Sequence, residues 1–164
     1  MKNVFYFAIM LLCVLSSCTS KTEVASPNSN IKWSLILDDK GAMTYQVTVN
    51  NQPFILPSAL GFEEKSGLNL KDGFQVVNTT FDSQDETWTQ PWGENKSIRS
   101  YYNEMAVNLK NGEGVKLTVR VRVFDDGLGF RYEYDTPADS LLLMDEYTSF
   151  NIAEDGTSWS IPAE

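Results

Sequence analysis

A chain of 164 residues has room for one domain and little more, and 42% of it is hydrophobic, enough to build a core. Lys and Arg number 13 against 22 Asp and Glu, a formal charge of −9, so the basic footprint that a phosphate backbone requires is missing and nucleic acid is excluded as a partner. Histidine is absent, which removes His-based acid–base chemistry, Ser-His-Asp and Cys-His nucleophiles, and nearly every zinc site.

In chain order, Lys2 provides a short positive start and Val4 to Leu15 an unbroken apolar run. That run is too short to span a hydrocarbon layer of roughly 30 Å, and has the length of a secretory core segment. Leu15-Ser16-Ser17-Cys18 follows and resembles a bacterial lipobox. It predicts a signal peptide over 1–17, cleavage before Cys18, lipidation of Cys18, and a membrane held through that anchor. Cys13 leaves with the signal, so no disulfide staples the domain. Residues 18–30 are polar with little to bury, and read as a flexible tether.

From residue 31 onward the pattern is β. Ile31, Trp33, Leu35 and Leu37 alternate with Lys32 and Ser34; Asp38-Asp39-Lys40-Gly41 is turn chemistry; Met43, Tyr45, Val47 and Val49 alternate again. This spacing predicts a hairpin. Phe54-Ile55-Leu56 reads as a short third strand, placed by Pro53 and Pro57 at an edge or just before its first ladder bond. Phe74–Phe81 and Ile98–Leu109 read as strands. Val115 to Val123 alternates without a break, and Asp125-Asp126-Gly127 turns the chain into Phe130, Tyr132 and Tyr134. Arg120, Arg122, Arg131 and Glu133 then share a polar, charge-paired sheet face. Leu141–Met144 is ambiguous. No long stripe of period 3.6 and no internal repeat occurs, so the fold class is all-β, an antiparallel β-sandwich over 31–164.

Candidate chemistry is sparse. Adjacent acids such as Asp85-Glu86 and Asp125-Asp126 point to opposite faces of a strand and make poor dyads. Trp33, Trp88 and Trp92 suit either the stacking of sugar rings or a core. Arg99 beside Glu94 or Glu104 suits ligand positioning or a structural ion pair.

Three blocks change the reading. Glu86-Thr87-Trp88, Trp92-Gly93-Glu94, Ile98-Arg99 and Tyr102-Asn103-Glu104 form the first, Phe124 to Tyr132 the second, and Ile161-Pro162 the third. In this order they resemble the N-terminal domain of glycoside hydrolase family 97, over about residues 31–164. The resemblance implies a galactose-mutarotase-like super-sandwich from an exported α-glucosidase or α-galactosidase of Bacteroidetes, an outer-membrane lipoprotein facing the periplasm or the cell surface. It implies a (β/α)8 catalytic barrel on the same polypeptide, an α-linked oligosaccharide as substrate, and Ca2+ in the full-length enzyme. The family's N-terminal calcium glutamate lies a few residues beyond the Ile-Pro block, and Glu164 is too close to Pro162 to be it. No metal ligand and no catalytic residue is therefore carried over. A chain ending at this point is expected to be truncated before the barrel and inactive alone. Trp88, Trp92, Glu94, Arg99, Asn103 and Glu104 are the expected substrate-facing or barrel-facing residues, on a loop from Trp88 to Glu104. The alternatives are a free-standing carbohydrate-binding lipoprotein, which would use Trp88 and Trp92, and a purely structural surface lipoprotein.

Overall fold

The computed structural model describes residues 21–134, 140–157 and 159. Within them the strands run β1 (Glu23–Ala25), β2 (Ile31–Leu37), β3 (Met43–Val49), β4 (Gln52–Ala59), β5 (Phe62–Glu64), β6 (Asn69–Leu70), β7 (Phe74–Thr89), β8 (Ser97–Asn111), β9 (Lys116–Phe124), β10 (Leu128–Glu133) and β11 (Leu143–Glu146). No helix occurs among the described residues. Two four-stranded antiparallel sheets, ordered β1-β2-β3-β4 and β10-β9-β8-β7, face each other, and β11-β5-β6 forms a small third sheet. The antiparallel sandwich expected from the sequence is the fold. Cys18, the 1–17 segment, Ile161-Pro162 and Glu164 lie outside the described residues.

The β2–β3 hairpin has the register that its alternation dictates, from Ile31 opposite Val49 to Leu37 opposite Met43. Ile31, Trp33, Leu35, Met43, Tyr45 and Val47 are buried from one sheet, and Met105, Val107, Val119, Val121 and Val123 from the other. Side chains standing on one face of each pleat thus meet between the sheets. The rings close the gap. Trp33 stacks on Tyr45 at 6.0 Å, and Phe130 of β10 lies 6.3 Å from Trp33 and 5.2 Å from Tyr45. Trp33 is therefore a core residue and not a sugar platform.

Turn chemistry sets the sheet ends. Asn50 and Asn51 both adopt positive φ, 51° and 62°, which a tight two-residue turn between β3 and β4 demands. At the β2–β3 turn, Asp38 accepts hydrogen bonds from the amides of Lys40 and Ala42 at 2.8 and 2.9 Å. Gly41 follows at φ 74°, where a Cβ would sit 2.4 Å from the backbone N and O of Phe74. The Phe74 amide donates to the Gly41 carbonyl at 3.1 Å, so this glycine lets the first sheet touch the start of the second.

Two expectations are corrected and one open reading is settled. Residues 23–25 are not tether but strand: β1 pairs with β2, Val24 is buried, and Thr22 exchanges bonds with Leu35. The edge of β2 supplies the hydrogen bonds, so one apolar side chain suffices to hold the segment. Trp88 to Glu104 is not a loop but the distal part of the β7–β8 ribbon, interrupted only by its turn. The ambiguous 141–144 run contributes to a strand, β11, which pairs with β5. Beyond it, residues 149–153 run along β4: the Leu56 amide donates to the Asn151 carbonyl at 2.8 Å, the Ala153 amide to the Phe54 carbonyl at 3.1 Å, and Ile152 bridges Ile55; the Tyr45 hydroxyl of β3 donates to the Ser149 carbonyl at 2.9 Å. At the other end of the second sheet, β7 is the outermost strand among the described residues.

Candidate functional site

β7 and β8 pair in register from Phe74–Asn111 to Thr89–Ser97, with one bulge at Val77. β9 supports β8 only as far as the Tyr102–Phe124 pair. Beyond it, Asp85–Thr89 and Ser97–Tyr101 form a ribbon of two strands with no third beside it among the described residues. Five residues at about 3.4 Å each give a projection of roughly 17 Å. At its tip the Gln90 amide donates to Lys96 O at 3.1 Å and its side chain to Asn95 O at 2.9 Å. Trp92 is 84% exposed there, Glu94 is exposed beside it, and Trp88 is 49% exposed on the shaft.

Strand alternation divides the expected site residues. One face of the ribbon carries Trp88, Glu86, Gln84 and Asp82, opposite Ile98, Ser100, Tyr102 and Glu104. The other carries Thr87, Asp85 and Ser83, opposite Arg99, Tyr101 and Asn103. Trp88 and Glu104 therefore share a face, Arg99 and Asn103 share the opposite one, and Trp92 and Glu94 sit in the turn.

Arg99 pairs with neither Glu94 nor Glu104. Its Nε and Nη2 donate to the two carboxylate oxygens of Asp85, both at 2.8 Å, and its guanidinium lies 4.4 Å from the Tyr101 ring. Cross-strand register chooses that partner, since Asp85 lies diagonally opposite on the same face. Asn103 is a strut: its Nδ2 donates to the Ala25 carbonyl at 2.9 Å and ties β1 to the second sheet.

Glu104 centres a network that the sequence indicated only in part. It accepts from Arg120 Nη1 at 2.5 Å and from Arg122 Nε at 2.6 Å. Arg120 donates through Nε and Nη2 to Glu133 at 2.7 and 3.0 Å, and Arg131 Nε reaches Glu133 at 2.8 Å. The paired face of Arg120, Arg122, Arg131 and Glu133 is present. The missing member was Glu104, found only through the register that sets it opposite Arg122.

The electrostatics of these groups are those of ion pairs. The hydrogen bond from Arg120 holds Glu133 down at about 2. Burial works against ionisation of Glu104, but the bonds from Arg122 and Arg120 outweigh it and its pKa lies below the usual range. Asp85 is lowered by Arg99, and Glu64 by the Ser66 hydroxyl. Every resolved carboxylate shift is downward, whereas a glycosidic general acid needs its proton held on near neutral pH. Nor do three or more Cys, Asp or Glu side chains converge as a cation site among the described residues, so these residues do not by themselves fit the calcium that the resemblance attaches to the full-length enzyme.

A family model described as glycosyl-hydrolase 97 N-terminal matches residues 24–164. The chain belongs to this family. Like solved family 97 enzymes from Pseudoalteromonas sp. strain K8, in complex with panose or with acarbose, the family 97 N-terminal domain here has the sandwich fold. It superposes on both at a TM-score of 0.74 with 32% identity, over 80% of this chain and 20% of theirs. A probable retaining α-galactosidase of Streptomyces bingchenggensis (strain BCW-1) is 27% identical over 119 residues, 73% of this chain and 18% of that protein. A β-arabinopyranosidase structure, 22% identical with a TM-score of 0.73 over 80% of this chain and 21% of its own, shares the fold. The chain thus spans about a fifth of the relatives that it matches.

Proposed function

We propose that these residues are the N-terminal β-sandwich of an exported, lipid-anchored α-glycosidase acting on α-linked glycans. The sandwich supports the catalytic barrel of the same polypeptide and forms one wall of its active site, without catalysing the reaction itself. The observation that carries this is the β7–β8 ribbon. A ribbon of two strands is marginal in water on its own. This one leaves the sandwich, presents Trp88 on its shaft and Trp92 at its tip, and offers the mix of aromatic and polar groups that a partly wet interface uses. Family membership and the solved relatives with bound oligosaccharides support the same reading. Calcium, where present, belongs to the assembled enzyme.

The test is the native polypeptide extracted from membranes. The expected product is a lipid-modified chain several times heavier than 18.5 kDa that releases sugar from α-glucosides or α-galactosides. A product of the chain's own mass, without hydrolysis, refutes the proposal. The exposure of Trp92 favours a second reading, a glycan-binding module. Binding of maltooligosaccharides or α-galactosides by the 164-residue chain, abolished by Trp92→Ala, would establish that reading instead.

A further inference from the structure

The outer face of the second sheet holds a cleft of about 200 Å³ that neither the ribbon nor the fold accounts for, lined by Arg120, Arg122, Phe124, Gly129, Phe130 and Arg131. Gly129 lies opposite Arg122 in the β9–β10 ladder, and Arg131 stands two residues further along β10. The missing side chain leaves open space beside Arg122, and a Cβ built on Gly129 would meet nothing within 4 Å.

The two arginines are held by carboxylates and keep free donors. Arg122 uses only Nε on Glu104 and rests 4.6 Å from the Tyr102 ring, so both its terminal nitrogens lack a partner among the described residues. Arg131 turns Nε and Nη2 to Glu133, which leaves Nη1 without a partner among the described residues. Arg120 is consumed by Glu104 and Glu133. Three arginines and no carboxylate line the cleft, on a chain whose formal charge is −9. Guanidinium donors already oriented by carboxylates bind a further anion with little loss of side-chain freedom. Phe124, tilted 5.1 Å from Tyr102, adds an aromatic wall beside them.

We infer that this cleft binds an acidic sugar unit, with a uronate carboxylate on Arg122 and Arg131 and the C–H face of the pyranose toward Phe124. A single carboxylate answers the donors that Arg122 and Arg131 keep free. The volume, below the roughly 300–1,000 Å³ of pockets for drug-sized ligands, matches a single ring. The cleft needs no catalytic domain, so its test is independent of the proposed hydrolytic context. It adds charged units to the glycans that the protein would hold.

The 164-residue chain is titrated calorimetrically with glucuronate, galacturonate, glucose and acetate at low salt. The expected result is that one uronate binds about tenfold more tightly than either glucose, which lacks the charge, or acetate, which lacks the ring, and that binding weakens as salt is added. Gly129→Val fills the gap with a residue suited to a strand and into open space, so it leaves the fold intact and abolishes binding. Arg131→Gln, on an exposed side chain, lowers affinity about tenfold. The inference is overturned if uronates bind no better than glucose, if acetate competes equally well, or if Gly129→Val, still folded by circular dichroism, binds like the parent.

Discussion

Removing the carboxylate of Glu104 is the most informative perturbation of the second sheet. Its side chain is only 11% exposed, and it accepts one hydrogen bond from each of two arginines. A hydrogen bond to a charged group contributes roughly 1.5–3 kcal/mol, and stripping one partner from a buried pair costs about 3–5 kcal/mol. Two features pull the cost down. Arg120 keeps two bonds to Glu133, and the Arg122 side chain is 45% exposed and can recruit water. We expect Glu104→Ala to cost about 2–3 kcal/mol, and Glu104→Gln, which retains an acceptor, about half of that. In urea, with slopes of roughly 1–3 kcal/mol/M, the alanine variant should lower the unfolding midpoint by about 1–2 M at unchanged slope. Asp85→Ala is the control. Its pair with Arg99 is equally well aligned, but 59% and 50% exposed, and should contribute much less. If Glu104→Ala and Asp85→Ala cost the same, burial is not what distinguishes the two pairs, and the reasoning fails.

The network also fixes the direction of the pH dependence. Glu133 titrates at about 2 in the folded chain against an ordinary value of 4.5, and Glu104 is lowered as well. A carboxylate lowered by folding contributes stability above its unfolded pKa, so that contribution is complete above about 4.5 and is lost as the pH falls toward 2. Melting temperatures taken from pH 7 to pH 2 should fall most steeply in that window, and Glu133→Gln should flatten the fall; a variant with the parent's slope would count against the assignment. At the junction of the sheets, Gly41→Ala must adopt φ 74° and place its methyl 2.4 Å from the Phe74 backbone. It should cost at least about 2 kcal/mol, whereas Gly112→Ala, with open space around it, should stay within about 0.5 kcal/mol. Comparable melting temperatures for the two would show that the close approach is relaxed in solution.

What the sequence disclosed depended on whether a segment had one wet face and one dry one. The β2–β3 hairpin and β9 alternate cleanly because each buries one side, and both were legible. The 82–89 stretch was not. Its ribbon is solvated on both faces, so Glu86, Thr87, Trp88 and Thr89 carry no period, and a strand there reads as a loop. β1 escaped for a related reason: Val24 is the only large apolar residue among three, and the segment is held by the edge of β2. Ion-pair partners need register, which composition does not carry. Arg99 had Glu94 and Glu104 as neighbours in the chain, yet the diagonal across the ladder delivers Asp85. The core role of Trp33 and the exposure of Trp92 separate two tryptophans that the sequence treats alike.

The outer edge of β7 has a colloidal consequence. Along its sixteen residues, alternate backbone N–H and C=O groups face outward without a neighbouring strand among the described residues, a template on which a second molecule could add its own edge. Asp82 and Glu86 stand along that strand, exposed and with no cation bridging them among the described residues, while the bulge at Val77 twists its first third. Two copies aligned edge to edge would bring these like charges together, and the net charge of −9 adds long-range repulsion. Acidic side chains thus act as gatekeepers against fibrillar stacking. High salt, which screens both the local and the long-range repulsion, removes that guard.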